Sequence, residues 1–177
     1  MLERVIFAGF GGQGVLTLGK IVAGVSMQKF PHVTYFPSYG TEVRGGTANC
    51  QVIISTEEIA SPIAERADSM ILMNQPSLER FLPRLGRRRG AFVNTSLAEP
   101  PEDDKRVVKI PATDMAAKLG DVRVANIIML GAYLAGQKWA EKETFEKYLT
   151  QWLKAKGEKI VELNLEAFKI GWNFKPQ

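Results

Sequence analysis

Near the start of the chain the sequence reads Val5-Ile6-Phe7-Ala8-Gly9-Phe10-Gly11-Gly12-Gln13-Gly14. The β-branched and aromatic residues of this run predict a buried strand, and the apolar positions that follow at helical spacing predict a helix. Four glycines within six positions let the backbone turn sharply between the two elements and let another group approach the main chain. Ligands in open α/β sheets bind at the carboxyl ends of strands, beside the free N–H groups of helix N-termini, so this glycine turn is a candidate site for an anionic or polar group.

Strands and helices alternate along the rest of the sequence. Apolar runs predict further strands at residues 33–36, 50–55, 69–73, 90–94 and 106–110. Helical spacing predicts helices at residues 14–29, 77–85, 114–119, 123–137, 145–153 and 163–174. This alternation predicts a three-layer α/β fold, with a mostly parallel sheet, helices on both faces and a Rossmann-like glycine turn. We expect residues 1–177 to form a single domain, since no repeat, low-complexity segment or linker interrupts them.

Two details of the packing can also be predicted. The strands between about residues 47 and 73 lack full-length helices between them, which favours one antiparallel or edge element there. The predicted helix at 123–137 carries small residues that would let another element approach closely. These residues are Gly131, Ala132, Ala135 and Gly136.

The composition excludes several kinds of metal and redox site on this chain. Cys50 is the only cysteine and His32 the only histidine, so the chain by itself forms no disulfide, no zinc site of the usual ligands and no iron–sulfur cluster. The formal net charge of +4 is mild, and the basic run 87–89 has no interleaved aromatic residues, which favours a solvated loop or an acidic partner subunit over nucleic acid. With no leader-like segment and no apolar run long enough to cross a bilayer, we expect a cytoplasmic protein without membrane contact.

Three interpretations compete for the glycine turn. The spacing G-x-G-x-x-G from Gly9 fits the dinucleotide fingerprint, but no Asp or Glu occurs between Gly14 and Glu42 to bind the ribose hydroxyls, which weighs against NAD or FAD. The spacing G-x-x-x-x-G-K from Gly14 resembles a P-loop, yet Ile21 stands where the magnesium-binding Ser or Thr belongs, so we reject an NTPase. The third interpretation is a tight turn whose glycines serve packing alone.

The predicted connection from Pro37 to Gly46 is rich in turn formers but also carries Tyr, Glu and Arg, a mixture unusual for a linker. It forms a pattern with two other segments, and the three read Gly9-Phe10-Gly11-Gly12-Gln13-Gly14-Val15, Ser38-Tyr39-Gly40-Thr41-Glu42-Val43-Arg44-Gly45-Gly46 and Arg123-Val124-Ala125-Asn126 before Leu130-Gly131. In this pattern the chain resembles the gamma subunit of the 2-oxoacid:ferredoxin oxidoreductases. The likeness covers nearly the whole chain, in the family's order.

The resemblance implies a subunit of an enzyme rather than an enzyme that acts alone. Members of the family carry out thiamine-diphosphate-dependent oxidative decarboxylation of a 2-oxoacid to its acyl-CoA and pass electrons through iron–sulfur clusters to ferredoxin. Thiamine diphosphate, the clusters and CoA would then belong to the assembled complex, with no cofactor held by this chain alone. The expected partners are alpha and beta subunits, with a delta subunit as a further candidate, and ferredoxin through the complex. A homodimer is the alternative for the isolated chain.

Candidate binding residues follow from the same segments, none of them catalytic and none a metal ligand. The N–H groups of the glycine turn and the Gln13 amide suit an anionic group such as a CoA phosphate, or a partner's carbonyls, with packing alone as the alternative. Arg44 suits a carboxylate or phosphate, unless Glu42 pairs with it and both only rigidify the loop. We expect residues 38–46 to form part of a subunit interface beside the shared active site. The full set is Gly11, Gly12, Gln13, Gly14, Tyr39, Glu42, Arg44, Gly45, Gly46 and Asn126.

Three single residues complete the expectations. Asn126, at the head of a predicted helix, is expected to hydrogen-bond back to a loop, and Cys50 in mid-strand indicates a buried, inert thiol. Phe10 stands where pyruvate-type chains of the family tend to carry Arg, which favours 2-oxoglutarate or a branched-chain 2-oxoacid, with 2-oxoglutarate preferred. Two other classes stay open: a free-standing dinucleotide-binding protein and a partner-binding module without redox chemistry.

Overall fold

The computed structural model describes residues 1–39, 47–86 and 90–176, without the side chain of Tyr39. The strands are β1 (Leu2–Phe10), β2 (His32–Tyr39), β3 (Thr47–Ser55), β4 (Ser69–Leu72), β5 (Ala91–Asn94) and β6 (Val107–Ile110). The α-helices are α1 (Val15–Ser26), α2 (Gln75–Phe81), α3 (Ala112–Lys118), α4 (Ala125–Ala135), α5 (Lys142–Leu153) and α6 (Glu158–Trp172). Short 3-10 turns occupy Leu82–Arg84, Val122–Val124 and Lys154–Lys156.

All of these strands join one sheet in the order β2-β3-β1-β4-β5-β6. The strands β1, β4, β5 and β6 are parallel neighbours, whereas β3 runs antiparallel to both β1 and β2. This confirms the antiparallel element predicted between residues 47 and 73. Because β3 is antiparallel to both of its neighbours, β1 and β2 run in the same direction. Both end at the edge where β4, β5 and β6 end. We call this the carboxyl edge.

Helices cover both faces of the sheet, as predicted, but unevenly. Successive side chains of β1 point to opposite faces: Val5 and Phe7 belong to a large apolar cluster with α1 and α4, whereas Ile6 and Ala8 belong to a smaller one with α2. The larger cluster also takes buried residues from α3, α5 and α6. The glycine turn therefore follows a strand that is buried on both faces, and this packing fixes the position of the turn.

The second strand is longer than the sequence predicted. We expected it to end at Phe36, with a connection starting at Pro37, but β2 continues through Tyr39. A proline lacks the N–H group that a central strand needs for pairing on both sides, and this is why the sequence pattern favours a strand end there. β2 is an edge strand, so Pro37 is tolerated while pairing with Cys50 of β3.

The close approach predicted for the helix at 123–137 takes place at Gly131. A Cβ atom there would fall on the carbonyl oxygen of Phe168, and one at Gly171 would fall on the carbonyl of Ile128. Helices α4 and α6 thus pack backbone against backbone. Ala135 and Gly136 are exposed at the end of α4 and take no part in this contact.

Helix boundaries differ from the predicted ones by a few residues. Helix α1 ends at Ser26 rather than Lys29, and hydrogen-bonded turns fill the difference. The last helix begins at Glu158, five residues before the predicted start, because Gly157 at φ 100° supplies a turn immediately before it. Within the described ranges, none of the helices has the length and apolar character needed to span a bilayer.

Candidate functional site

The glycine turn joins β1 to α1 at the carboxyl edge of the sheet. Gly12 and Gly14 adopt positive φ values of 97° and 73°, a backbone conformation that residues with side chains rarely take. Gly11 and Gly12 are exposed, and a Cβ atom at either position would meet no atom within 4 Å. A ligand or a partner chain can therefore approach the backbone of these two glycines directly.

The Gln13 side chain faces the protein rather than the open side of the turn. Its Oε1 accepts hydrogen bonds from the Phe10 N–H group at 2.7 Å and from Asn74 Nδ2 at 2.9 Å. Its Nε2 donates a longer bond to the Met73 carbonyl at 3.5 Å. The amide that the sequence suggested for ligand binding is thus engaged in holding the turn against the end of β4.

Asn126 holds the other end of the turn. It is buried at the start of α4, and its Nδ2 donates to the carbonyl of Gly14 at 3.4 Å. A Cβ atom on Gly14 would fall on that amide nitrogen, so only glycine fits beside it. The structure confirms the expected hydrogen bond from Asn126 back to a loop, and the loop is the glycine turn itself.

Further polar side chains extend this network across the carboxyl edge. Asn94, at the end of β5, donates to the Met73 carbonyl at 3.3 Å and to Thr113 Oγ1 at 2.9 Å, and it accepts from the Thr113 N–H group at 3.2 Å. Asn74 also accepts from the Ser77 N–H group at 3.0 Å and so caps α2. The set Gln13, Asn74, Asn94 and Thr113, which we call the polar strip, links the ends of β1, β4 and β5 to the start of α3.

Sequence reasoning missed three members of the polar strip. Asn74 and Asn94 each follow an apolar run closely, and Thr113 follows Ile110 and Pro111. A single polar residue after a strand is common in any loop, so each signal is weak alone. Strand order is what brings them together, since β4 and β5 are neighbours in the sheet although 18 residues separate Leu72 from Ala91.

A cleft of about 180 Å³ opens beside the turn, lined by Gly12, Gln13, Asn126 and Arg123 among others. The Arg123 side chain is 84% exposed, and its guanidinium lies 2.7 Å from a carboxylate oxygen of Asp121. That hydrogen bond lowers the pKa of Asp121 and raises the pKa of Arg123, so both are charged at neutral pH. Arg123 thus places a positive group at the cleft, partly offset by its neighbour.

A larger groove of about 510 Å³ continues from the cleft, because Arg123 and Asn126 line both. Residues of α1, α5 and α6 form most of the rest of this groove. Trp152 and Ile160 are among its lining residues, and both are large apolar side chains left exposed. The two hollows together offer polar and cationic groups at one end and apolar surface at the other.

Most of the second predicted segment lies outside the described residues. This applies to Glu42, Arg44, Gly45 and Gly46, and to the side chain of Tyr39. The ends of the segment are described: Tyr39 pairs with Ala48, and Thr47 pairs with Phe10 of β1. The chain therefore leaves β2 and enters β3 at the same edge as the glycine turn.

The single cysteine is a packing residue. Cys50 is fully buried in β3 with its Sγ 3.4 Å from the Val15 carbonyl, and burial raises its pKa from 9.0 to about 12. This confirms the buried, inert thiol expected from the sequence. Across the described part of the chain, no three His, Cys, Asp or Glu side chains come together in a group that would hold a metal ion.

The side chains and backbone groups at the glycine turn suit ligand binding rather than catalysis. The residues that line the cleft beside the turn contribute backbone N–H groups, amides, one hydroxyl and one guanidinium, and none is a carboxylate, imidazole or thiol. Such a set can hold an anionic group or a partner's carbonyl oxygens. General acid–base catalysis at this cleft would need a titrating group from elsewhere.

Comparison with known proteins gives a consistent family. Residues 4–174 match the family model described as pyruvate ferredoxin/flavodoxin oxidoreductase. The ketoisovalerate oxidoreductase subunit VorA of Methanothermobacter thermautotrophicus is 36% identical over 95% of this chain and 35% of its own length. The 2-oxoglutarate synthase subunit KorC of Methanocaldococcus jannaschii is 30% identical over 97% of this chain and 93% of its own length. The chain thus spans about a third of the ketoisovalerate relative and nearly all of the 2-oxoglutarate one.

Solved structures agree with the fold. The gamma subunit of a keto/oxoacid ferredoxin oxidoreductase from Geobacter sulfurreducens superposes with a TM-score of 0.78 at 28% identity, over 97% of this chain and 95% of that one. The 2-oxoglutarate:ferredoxin oxidoreductase from Magnetococcus marinus, solved with 2-oxoglutarate, coenzyme A and succinyl-CoA bound, superposes with a TM-score of 0.86 at 25% identity. That match covers 97% of this chain and 30% of the longer one.

Proposed function

Since this chain belongs to the pyruvate ferredoxin/flavodoxin oxidoreductase family, we propose that it acts as the gamma subunit of a multi-chain 2-oxoacid:ferredoxin oxidoreductase. The complex would oxidatively decarboxylate a 2-oxoacid to its acyl-CoA and reduce ferredoxin. The observation that supports this most strongly is the superposition of 97% of the chain on a 2-oxoglutarate:ferredoxin oxidoreductase with a TM-score of 0.86. The alternative functions, a free-standing dinucleotide-binding protein and a module without redox chemistry, have no comparable support.

The favoured substrate is 2-oxoglutarate. Phe10 in the glycine turn and the KorC relative, matched over 93% of its length, both favour it. A branched-chain 2-oxoacid is the second candidate, because the ketoisovalerate relative has the higher identity of 36%. A panel of 2-oxoglutarate, 3-methyl-2-oxobutanoate and pyruvate, assayed on the assembled complex, separates these candidates by kcat/KM.

The cofactors of such a complex would lie on partner subunits, alpha and beta and in some assemblies delta. An iron–sulfur cluster needs several thiolates, and this chain has one cysteine, buried and with its pKa raised to about 12. Thiamine diphosphate supplies the chemistry of decarboxylation when bound. For that group the described residues offer no set of metal-ligating side chains that would hold its pyrophosphate through a metal ion, so we assign its binding to the partner subunits.

The substrate that these residues do fit is CoA. Its phosphates are anionic, and the exposed backbone of Gly11 and Gly12 together with Arg123 could receive one of them. The apolar groove that continues past Arg123 suits an extended chain leading from the phosphates. In this arrangement Gln13 and Asn126 position the turn without touching the substrate.

Reconstitution tests the proposal. We expect viologen reduction that depends on both a 2-oxoacid and CoA when this chain is combined with the partner chains that copurify with it, and none from this chain alone. Replacing Arg123 by Ala should raise the KM for CoA about tenfold, as loss of a charged hydrogen bond does, with the KM for the 2-oxoacid unchanged. The matched control is Arg66→Ala, since Arg66 is exposed just before the start of β4, at the opposite edge.

Two outcomes would contradict the proposal. The first is full 2-oxoacid oxidation by the partners without this chain, and the second is turnover by this chain alone. A thermal shift with NAD would instead support the dinucleotide-binding alternative, because a ligand at a hundred times its Kd stabilises a protein by about 2.7 kcal/mol.

A further inference from the structure

A second hollow lies far from the glycine turn, at the other end of α1. It has a volume of about 360 Å³ and is lined by the end of α1 with the residues that follow it, by the connection from α4 to α5 and by the first turn of α5. We call it the aromatic cleft, and its principal residues are Ser26, Lys29, Phe30, Trp139, Glu141 and Phe145. Helix α1 has 12 residues and is therefore about 18 Å long, so this cleft is separate from the site described above.

Two polar atoms of the cleft residues are buried without a hydrogen bond. Ser26 is 1% exposed and Trp139 is 7% exposed. Within the described part of the chain, neither Ser26 Oγ nor Trp139 Nε1 has a hydrogen-bond partner. Buried polar groups are normally paired, because leaving them unpaired destabilises the fold. Both residues line the cleft, but both atoms are closed off from solvent, so the walls and rim of the cleft, and not these two atoms, would contact a bound molecule.

The walls of the cleft are aromatic. The Phe30 and Trp139 rings meet edge to face with centroids 5.9 Å apart, and the Trp139 and Phe145 centroids are 6.1 Å apart. These rings provide an apolar surface with fixed geometry. A volume of about 360 Å³ lies at the small end of ligand pockets, which suits a single apolar side chain with a short polar head.

The rim carries one charge of each sign. Lys29 Nζ lies 2.8 Å from Glu141 Oε1 and donates to the Trp139 carbonyl at 3.2 Å. Hydrogen bonding from Lys29 lowers the pKa of Glu141, which keeps that carboxylate ionised. Both side chains are at least half exposed, and such surface pairs contribute little to stability. A ligand that carries both charges can therefore insert between them.

We propose that the aromatic cleft binds a free α-amino acid with an apolar side chain. Its carboxylate would pair with Lys29 and its ammonium group with Glu141, while its side chain lies among Phe30, Trp139 and Phe145. A simple carboxylate would leave Glu141 without a cationic partner, and a simple amine would leave Lys29 without an anionic one. The site would therefore favour an amino acid over either kind of compound. The proposal concerns binding and does not depend on the oxidoreductase function.

Titration of the full-length chain with L-leucine and with L-tryptophan tests this inference, with isothermal calorimetry as the readout. We expect saturable binding at concentrations up to about 10 mM, enough to fill a site with a Kd of about 1 mM. Two analogues of leucine, 4-methyl-2-oxopentanoate without the ammonium group and 3-methylbutylamine without the carboxylate, should each bind about tenfold more weakly. L-Glutamate should not bind, because its side chain is charged.

Variants locate the site. Glu141→Gln should weaken leucine binding about tenfold, whereas Glu143→Gln, which changes an exposed carboxylate two residues away that is not part of the cleft lining, should leave it unchanged. No saturable binding of either amino acid by the unmodified chain would overturn the proposal. Equal affinities in the Glu141 and Glu143 variants, or equal binding of the two single-charge analogues, would do so as well.

Discussion

Replacing Gln13 by Ala tests whether its side chain holds the glycine turn. The substitution removes the acceptor for the Phe10 N–H group and for Asn74 Nδ2, at 2.7 and 2.9 Å. A net hydrogen bond contributes about 0.5–1.5 kcal/mol, and a donor left unpaired in a buried position costs about 1–3 kcal/mol. Because Gln13 is only half-buried, water can reach part of this site, so we expect the free energy of unfolding to fall by about 2–3 kcal/mol.

Urea unfolding followed by circular dichroism measures this loss. Gln13→Met keeps the length of the side chain without its amide and should lose nearly as much, which separates hydrogen bonding from packing. The control is Gln151→Ala on the exposed surface of α5, expected to change stability by less than about 0.5 kcal/mol. If Gln13→Ala also stays within that limit, the turn is held by its backbone alone and the Gln13 amide is free to serve a ligand.

Three further predictions concern packing, ionisation and assembly. Gly171→Ala places a methyl group on the Ile128 carbonyl and should lower the free energy of unfolding by about 3 kcal/mol. The control Gly136→Ala, at an exposed position with negative φ, should be tolerated. Equal melting temperatures of the two variants would contradict this prediction. Burial raises the pKa of Cys50 from 9.0 to about 12, so its contribution to stability is complete below pH 9.0 and declines as the pH rises toward 12. The stability difference between the unmodified chain and Cys50→Ala should therefore shift by about 2 kcal/mol between about pH 8 and about pH 10.5 in urea titrations, and a constant difference would show that the thiol is not protected. Arg44→Ala should leave the melting temperature of the isolated chain nearly unchanged yet weaken reassembly with partner subunits by about 2 kcal/mol or more; a variant that unfolds alone but assembles normally per folded molecule would show that the loop is structural.

Local patterns in the sequence were sufficient to predict the strand and the helix on either side of the glycine turn. The apolar run of β1, the glycines and the spacing of α1 are signals that lie within about 20 residues of one another. The antiparallel β3 could be predicted because no crossover helix precedes it. By contrast, the extension of β2 past Pro37 depends on its place at the edge of the sheet, and strand order is not a local property.

The candidate site was predicted less completely, for a physical reason. Sequence reasoning identified the turn and Asn126, but it predicted that the Gln13 amide would face a ligand. Nothing near Gln13 in the sequence shows that Asn74 lies beside it. Similarly, Arg123 was noted in a motif, while its place at the cleft beside Gly12 depends on how α4 packs against the turn. Contacts between distant residues decide which side chains remain free to bind, and local patterns in the sequence do not show those contacts.

The reversed strand β3 also has a consequence for how the chain folds. Strands β2 and β3 are joined by the seven residues 40–46 and pair antiparallel along their length. They can therefore meet early, since closing a short loop costs little entropy. Strand β1 then completes a three-stranded unit within the first 55 residues, before the parallel strands β4 to β6 are added. In pulse-labelling hydrogen exchange, the amides of β2, β3 and β1 should gain protection ahead of those of β5 and β6.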